Sequence, residues 1–544
     1  MARPSYQEAC GSFEWRNVLR ALGWEGRTDI NIAETIVDRN ARTHGVALYW
    51  YGAGGEQEVI TFRELALLTG RFAGHLASIG VGKGDRVVGV LPRVPETLIA
   101  MLGCFKAGAV YVPVFTAFGP DAIRFRVSDS GAKAIVTHHG VRDRLPDLRD
   151  EEVSVITVAG VRGRGIRRGD ISFWQGLDDA AEDFESVLCR RDEAAVILYT
   201  SGSTGQPKGV RLANNFVAAM WPYMEFGLSL RPDDMFWPTG DPGWGYGLVC
   251  YMVAMAMGVP VMCVEAPPTP ELVLKQLQER RVTTFATVPT VLRGVMALGE
   301  EAVSDRDLAL RCVGSCGEPL NAEVVDFFRK VWRVTPLDHY GSSEFGMPVG
   351  NYQALELAVK PGSMGRPMPG YVMAIVDDDG NELPPETVGH IGQKRTAEGY
   401  YSLGYWNDAT RPDGEFRGDW LVAGDLGRKD QEGYFIFEGR SDDVINSAGY
   451  RIGPFEVESA ILRHPAVAEA AVVGKPDERR GEIVTAHVVL RPDHREMPSL
   501  RQEIVDVVKA TLGKHQFPRE ITFVEDLPKT ESGKIQRFRL RQVS

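Results

Sequence analysis

One stretch, Tyr199-Thr-Ser-Gly-Ser-Thr-Gly-Gln-Pro-Lys-Gly-Val210, limits what this chain can fold into more than any other. It follows the apolar run Ala194-Ala-Val-Ile-Leu198, which predicts a buried strand that leads into a tightly folded loop. Glycines in the loop allow successive N–H groups to converge on an anion, and the hydroxyl side chains add donors. The stretch therefore predicts a phosphate-binding loop, with a plain surface turn as the alternative. Its predicted binding residues are Thr200, Ser201, Gly202, Ser203, Thr204, Gly205, Gln206, Pro207 and Lys208.

The loop is not a Walker A motif. That motif needs a lysine followed by Ser or Thr at the start of a helix, whereas Lys208 follows Pro207 and precedes Gly209. The chemistry at this loop therefore need not be phosphoryl transfer.

Length and charge narrow the class of protein. At 544 residues the chain exceeds the size of a single core, so we expect one large multi-layer domain and one smaller domain. A net charge of −12 without a Lys/Arg run argues against nucleic-acid binding. Because no signal peptide or membrane-length apolar run is present, we expect a cytoplasmic enzyme without stable membrane insertion. The seven cysteines form neither a disulfide framework nor a zinc pattern, and buried thiols are expected.

Helical periodicity alternates with apolar runs through the first part of the chain. The pattern predicts a helix at Phe62–Leu76 and a buried strand at Asp85–Leu91. The same pair follows, with a helix at Glu96–Ala107 and a strand at Tyr111–Val114. This alternation is typical of an α/β fold with largely parallel strands. The weakly periodic region of residues 153–185 predicts a surface excursion.

An aromatic and glycine-rich segment, Met235–Gly247, predicts a small-molecule pocket. Trp244 and Tyr246 are the candidate substrate-lining residues, and a core loop is the alternative. Asp241 alone does not discriminate between substrate classes.

Two further strand-like runs end in polar loops, at Gly317-Glu318-Pro319 and after Pro336. Ligands on open α/β sheets collect at the carboxyl ends of strands, so both loops are candidates for the ligand site. A single carboxylate is enough for Mg²⁺, which takes its other ligands from phosphates and water, so Glu344 is the candidate metal ligand. The second loop supplies the candidates Asp338, His339, Tyr340, Gly341, Ser342 and Ser343.

Five separated motifs together resemble those of the adenylate-forming superfamily, which includes acyl-CoA synthetases. They are the loop at 199–210, Tyr340-Gly-Ser-Ser-Glu344, Leu421-Val-Ala-Gly-Asp-Leu-Gly427, Gly439–Glu458 and Pro528-Lys-Thr-Glu-Ser-Gly-Lys534. The resemblance implies that Tyr340 stacks on adenine, and that Glu344 binds Mg²⁺. Thr200 and Lys534 are the other implied catalytic residues.

The resemblance also assigns roles near the end of the chain. Asp425 is expected to bind the ribose hydroxyls, Arg440 the ribose and phosphate, and Arg451 the phosphates. Asp442 is the expected hinge. Ala448, Gly449 and Tyr450 are expected to line the passage for the pantetheine arm of coenzyme A.

The implied architecture has two parts. Residues 1–439 are expected to form an AMP- and acyl-binding domain of two mixed sheets, helices and a small β-barrel-like unit. Residues 440–544 are expected to form a small mobile α/β lid that turns near Asp442. Whether the protein is a monomer or a homodimer stays open.

The implied reaction uses ATP, Mg²⁺ and coenzyme A. A carboxylate attacks the α-phosphate of ATP, and the acyl-adenylate then reacts with the CoA thiol. Acetyl-CoA synthetases carry a Trp where this chain has Gly341. A short- or medium-chain or branched acid larger than acetate is therefore expected, unless Trp244, Tyr246 or another residue fills the space of the missing indole. A ligase that loads a carrier protein and an inactive ATP-binding homologue are the alternatives.

Overall fold

The computed structural model describes residues 3–43, 45–148, 152–160, 165–200, 207–304, 306–441, 443, 445–447, 450–477, 479–492, 494–512, 516–529 and 535–543. Within these ranges the strands form two large mixed sheets, two five-stranded sheets and one two-stranded ribbon, Asp29–Ile30 with Cys189–Arg190.

The first large sheet carries the strand before the glycine-rich loop. Its central strands run parallel, whereas Lys208–Ala213 lies antiparallel to both of its neighbours. Across the sheet the order is Ser402–Tyr405, Lys208–Ala213, Ala194–Thr200, Val110–Pro113, Arg86–Val90, Ala132–His138, Ser154–Val158 and Ile171–Ser172.

The second large sheet carries the Tyr340 strand. Parallel pairing runs from Pro336–Ser342 as far as Val46–Tyr51, and both edges are closed by antiparallel strands. Its order is Arg366–Pro367, Gly346–Gly350, Pro336–Ser342, Cys312–Cys316, Thr284–Thr287, Phe236–Pro238, Val261–Val264, Val46–Tyr51 and Gln57–Thr61.

Two smaller sheets follow along the chain. One is antiparallel and consists of Val372–Val376, Gly389–Lys394, Glu415–Arg417, Trp420–Lys429 and Phe435–Arg440. The other consists of Ile445–Ser447, Tyr450–Ile452, Val467–Asp477, Gly481–Leu490 and Glu520–Phe523.

Helices cover the sheets. Phe62–Ser78 begins at a capping box, in which Thr61 and Glu64 satisfy each other's backbone N–H groups. The α-helices are Tyr6–Ser12, Trp15–Leu22, Phe62–Ser78, Pro95–Lys106, Pro120–Ser130, Phe173–Asp179, Phe216–Pro222, Gly245–Ala256, Pro270–Glu279, Pro289–Ala297, Glu300–Ser304, Ala322–Val331, Pro454–Ile461, Pro498–Leu512 and Arg537–Val543. Short 3₁₀ or π turns occupy Glu34–Asp38, Asn40–Thr43, Arg142–Arg144 and Tyr223–Gly227.

The predicted α/β class, with a large part of mixed sheets and a smaller C-terminal part, is confirmed. The interpretation of residues 153–185 as a surface excursion is wrong. Ser154–Val158 pairs in parallel with Ala132–His138 as part of the first large sheet, and Phe173–Asp179 is a helix. The apolar periodicity is weak here because the strand Ser154–Val158 is only five residues long and two of its residues are half-buried.

The C-terminal sheet has its own hydrophobic core, formed within residues 445–521 by side chains such as Ile445, Val457 and Ile504. It touches the larger part through the side-chain amide of Asn321, which donates to Ser459 Oγ at 3.0 Å. The boundary at residue 440 stays a prediction, and Asp442 lies outside the described residues. In the described part of the chain, no helix combines the length and apolarity needed to cross a bilayer.

Two helical glycines give a matched test of how tightly the pocket region packs. A Cβ on Gly247 would overlap the backbone of Asp241 and Gly240, whereas a Cβ on Gly11 meets nothing within 4 Å. Gly247→Ala is expected to lower the free energy of unfolding by about 1–3 kcal/mol through overpacking. Gly11→Ala is expected to raise it by about 0.5–1 kcal/mol, because alanine loses less backbone entropy in a helix. Denaturant unfolding of both variants checks this; equal effects would contradict the assigned packing.

Candidate functional site

The Tyr340 strand turns back on itself between Ser342 and Gly346, and this hairpin is the centre of the candidate site. Tyr340 is buried, and its hydroxyl donates to Asp425 Oδ2 at 2.8 Å. Arg440 Nη1 lies 3.0 Å from Asp425 Oδ1 and also donates to the Ala423 carbonyl. The structure therefore brings together three predicted nucleotide-binding residues that are far apart in sequence. Burial raises the pKa of Tyr340 well above its usual value, so its hydroxyl stays a donor.

The second group at the hairpin is built around Glu344. Tyr405, at the end of a strand of the first large sheet, donates its hydroxyl to Glu344 Oε1 at 3.0 Å. The Lys208 ammonium lies 5.7 Å from the centre of the Tyr405 ring. Tyr405 thus connects the lysine of the glycine-rich segment with the candidate metal ligand.

Opposing effects set the protonation of Glu344. Burial raises the pKa of its carboxyl group, whereas the hydrogen bonds from Ser342 and Tyr405 lower it. Burial is the larger effect, so the net pKa lies above that of an exposed glutamate.

The turn of the hairpin is held by one side chain. Ser342 Oγ accepts the backbone N–H groups of Glu344 and Phe345, each at 3.2 Å. This fixes the backbone that carries Ser343 and Glu344, so the carboxylate is preorganised.

The loop at Gly317-Glu318-Pro319 lies beside the same strand. Gly317 has a φ of +91°, a conformation that favours glycine. Glu318 accepts hydrogen bonds from Thr290 Oγ1 at 2.8 Å and from Arg293 Nη2 at 2.6 Å. These contacts hold the loop in place next to the nucleotide-binding candidates.

Asp338 and His339 are buried, and their side chains bond to backbone next to the Gly317-Glu318-Pro319 loop and the Tyr340 strand. Asp338 Oδ2 accepts the N–H of Leu320 at 3.2 Å, and burial raises the pKa of its carboxyl group to about 8. His339 Nε2 lies 2.9 Å from the carbonyl of Asn351, and burial lowers its pKa to about 4. In the structure both side chains act as internal supports of the strand.

The predicted substrate residues Trp244 and Tyr246 lie side by side, with ring centres 5.5 Å apart. The hydroxyl groups of Tyr246 and Tyr223 are 2.7 Å apart in the buried interior. Trp244 stands at the N-cap of helix Gly245–Ala256, and Asp241 Oδ1 accepts the N–H of Gly243 in the turn before it.

Gly341 is not bordered by open space. A Cβ on Gly341 would overlap the Gly346 carbonyl and the Met347 sulfur. Met347 occupies the position that a side chain at 341 would enter, so it is a residue that fills space left by the missing indole.

Several predicted residues lie outside the described part of the chain. These are Ser201, Gly202, Ser203, Thr204, Gly205, Gln206, Asp442, Ala448, Gly449 and Lys534. Thr200 and Lys208 are opposite each other where the flanking strands pair, and Thr200 Oγ1 lies 3.4 Å from the Lys208 carbonyl. Tyr450 and Arg451 belong to a short hairpin strand that pairs with Ile445–Ser447.

Sequence reasoning missed Tyr405, Met347 and Arg293. Tyr405 is 61 residues from Glu344 and lies in another sheet, so no local pattern could connect them. In the sequence, Met347 resembles an ordinary core residue and Arg293 an ordinary surface residue.

The residues present fit ATP and Mg²⁺. Glu344 is a single carboxylate close to a lysine-bearing loop, and among the described residues no group of three or more His, Cys, Asp or Glu side chains could form a protein-only metal site. This donor set suits Mg²⁺ that takes most of its ligands from phosphate and water. Asp425, with Tyr340 and Arg440 on its two oxygens, suits a ribose.

Comparison with known proteins agrees with this geometry. The family description "AMP-binding enzyme" matches residues 37–406, and "AMP-binding enzyme C-terminal domain" matches residues 456–534. The chain is similar to an acetyl-coenzyme A synthetase of Bacillus subtilis, at 37% identity over 98% of this chain and 94% of that protein.

Solved structures show the same similarity. A crystal structure of a Brucella canis acyl-CoA synthetase aligns with a TM-score of 0.79 at 38% identity, over 99% of both chains. An anthranilate CoA ligase in complex with anthranoyl-AMP aligns with a TM-score of 0.86 at 27% identity, over 95% of this chain and 97% of that one.

The chain belongs to the AMP-binding enzyme family. It is an AMP-forming ligase of the acyl-CoA synthetase class, whose members use ATP, Mg²⁺ and coenzyme A.

The Tyr405 hydrogen bond predicts a pH effect. Tyr405→Phe removes a bond that lowers the pKa of Glu344, so this carboxyl group will stay protonated to a higher pH. Only an ionised carboxylate binds Mg²⁺ well. If Glu344 is the metal ligand, the acidic limb of the kcat/KM profile will move to higher pH at limiting Mg²⁺, and less at saturating Mg²⁺. Tyr49→Phe, a change on a distant strand, is the control. An unchanged acidic limb would contradict the role of Tyr405.

Proposed function

We propose that this enzyme adenylates a short or medium-chain aliphatic carboxylic acid larger than acetate and transfers the acyl group to coenzyme A. The observation that carries the proposal is the convergence of two groups on one hairpin, Tyr340 with Asp425 and Glu344 with Tyr405. The first suits a nucleoside and the second lies next to Lys208, the lysine of the glycine-rich segment. An acyl-adenylate placed there would have its mixed anhydride beside Glu344.

In the first half-reaction a carboxylate oxygen forms a bond to the α-phosphorus of ATP, and pyrophosphate leaves. No protein atom needs to form a covalent bond, so positioning and charge stabilisation carry the catalysis. Asp425 and Arg440 would hold the ribose, and Lys208 would stabilise the phosphates. Mg²⁺ bound by Glu344 would supply charge neutralisation at the phosphates.

In the second half-reaction the CoA thiol attacks the acyl carbon and AMP leaves. We infer from the matching motifs that Lys534 serves the first half-reaction and that the segment of Gly449 serves the second. Rotation of the C-terminal part about Asp442 would exchange them, as expected for an enzyme that alternates between two active arrangements.

The test is a panel of linear carboxylic acids, assayed for pyrophosphate release with and without coenzyme A. Acid-dependent pyrophosphate and AMP, with acyl-CoA when the thiol is present, are expected. Pyrophosphate release without acylation of CoA would favour a different acceptor, such as a carrier protein. A folded sample that releases no pyrophosphate with any acid would overturn the proposal.

Lys534→Ala is expected to reduce adenylate formation by at least about a hundredfold, because a charge next to the α-phosphate is lost. Thioester formation from supplied acyl-AMP should continue. Pyrophosphate exchange measures the first step and acyl-CoA formation from acyl-AMP measures the second. Equal losses in both would refute the assigned role.

Gly449→Leu is expected to give the opposite result. A bulky side chain in the thiol passage should block acyl transfer to CoA and leave pyrophosphate exchange unchanged. The same two assays check this, so the two variants serve as controls for each other. A parallel fall in exchange would show that Gly449 does not line the thiol passage.

A further inference from the structure

Two side chains connect the loop at Gly317-Glu318-Pro319 with the C-terminal part of the chain. Shortly after this loop comes Asn321, the residue that precedes helix Ala322–Val331. Its amide nitrogen donates to Ser459 Oγ at 3.0 Å, and Ser459 lies on helix Pro454–Ile461 of the C-terminal part. This hydrogen bond therefore crosses the boundary between the two parts of the chain, next to a loop that is a candidate for nucleotide binding.

Asn321 is fixed to the loop by a second set of contacts. Asn321 is buried, and its side-chain oxygen accepts a hydrogen bond from Arg293 Nη1 at 3.4 Å. The same guanidinium group donates through Nη2 to Glu318 at 2.6 Å. Arg293 thus holds the loop and Asn321 in one arrangement, so the loop determines where the amide meets Ser459.

Ser459 is fixed to the end of the chain in a similar way. Its neighbour Glu458 is buried, and each of its carboxylate oxygens accepts a hydrogen bond from Arg537 Nη2 at 2.8 Å. In the sequence, Arg537 follows Lys534 by three residues. Helix Pro454–Ile461 therefore carries, side by side, the residue that contacts Asn321 and the residue that anchors the last segment of the chain.

At this contact the charges across the boundary attract each other. Burial lowers the pKa of the Arg537 guanidinium, but the negative charges of carboxylates that include Glu458 and Glu318 raise it, and the net shift is upward. The end of the chain thus lies within electrostatic reach of the loop. Arg463 Nε also lies 3.3 Å from Glu323 Oε1 across the same boundary, but this pair is largely exposed and contributes little.

We propose that Asn321 is a positioning residue that, through Ser459, holds the C-terminal part in the arrangement that serves adenylate formation. This inference rests on the proposed function, in which Lys534 serves the first half-reaction. Because the charge of Glu318 acts on Arg537, the arrangement in the structure brings the last segment of the chain towards the candidate nucleotide loop. Rotation of the C-terminal part for acyl transfer would break the bond between Asn321 and Ser459.

The first test removes only the hydroxyl group of this bond. Ser459→Ala leaves Asn321 and the loop intact. Since a neutral hydrogen bond shifts an equilibrium by about two- to tenfold, pyrophosphate exchange is expected to fall within that range. Acyl-CoA formation from supplied acyl-AMP should be unchanged or faster, because the C-terminal part leaves this arrangement more readily. Both assays use the linear acid that reacts fastest with the unmodified enzyme, and its acyl-AMP.

Three further variants separate this role from a general loss of stability. Ser459→Thr keeps a hydroxyl group and should restore pyrophosphate exchange. Ser499→Ala is the matched control, because Ser499 is an exposed serine on helix Pro498–Leu512 of the same C-terminal part, and neither half-reaction should change. Asn321→Ala combined with Ser459→Ala should be no slower than Asn321→Ala alone, as expected when two side chains act through one bond.

The second test locks the arrangement with a cross-link. Asn321→Cys and Ser459→Cys are combined in one variant and joined with dibromobimane, a short reagent that links two thiols. The joined enzyme is expected to keep pyrophosphate exchange and to lose acyl-CoA formation from acyl-AMP, because the C-terminal part can no longer rotate. Each single cysteine variant, treated with the same reagent, is the control. Six of the seven native cysteines are buried, and Cys10 is half-buried.

The outcomes separate the two proposals. If the unmodified enzyme carries out both half-reactions and Ser459→Ala lowers them equally or not at all, this inference is overturned while the proposed function stands. Two engineered thiols that do not join, or a joined enzyme that still forms acyl-CoA or loses pyrophosphate exchange, would also overturn it. If no acid supports pyrophosphate release by the unmodified enzyme, the proposed function is overturned and the inference falls with it.

Discussion

The hydrogen bond from Tyr405 to Glu344 is the contact on which the rest of the site depends. Tyr405 ends a strand of the first large sheet, and Glu344 lies on the hairpin of the second. The bond therefore ties the end of a strand of the first sheet to the hairpin of the second, next to the apolar core that both sheets share. Since the Lys208 ammonium lies near the same ring, Tyr405 stands between the lysine of the glycine-rich segment and the candidate metal ligand.

The second constraint is the alternation of side chains along the Tyr340 strand. Tyr340 faces Asp425, whereas the position after it faces Met347. A glycine is required at 341, because the Gly346 carbonyl and Met347 leave no volume for a Cβ. One short strand thus separates the residues around Asp425 from those around Met347, and it leads directly into the turn that carries Glu344.

Much of the fold could be predicted from the sequence, because long periodic segments report their own structure. Helix Phe62–Ser78 and strand Ala194–Thr200 follow directly from local patterns, and so does the antiparallel unit before residue 440. The strand Ser154–Val158 could not be recognised, since it is short and borders a polar stretch. Its place in the sheet is set by pairing with Ala132–His138, a tertiary effect.

The site was predictable where its residues occur in contiguous motifs, as at Tyr340–Glu344. Contacts between residues that are far apart in the sequence could not be predicted. Tyr405 and Met347 carry no local signal, and their importance appears only when the sheets are assembled. For the same reason the sequence pointed to Gly341 as an opening, whereas the structure shows that Met347 borders it.

The central claim is that a carboxylate oxygen becomes bonded to the α-phosphorus of ATP. The most direct measurement uses an acid with isotopically labelled oxygen in its carboxyl group, followed by mass analysis of the AMP formed in a complete reaction with coenzyme A. The account predicts that each AMP carries one labelled oxygen, because the bond broken by the thiol is that between the acyl carbon and this oxygen. Unlabelled AMP, or release of ADP and phosphate, would contradict it.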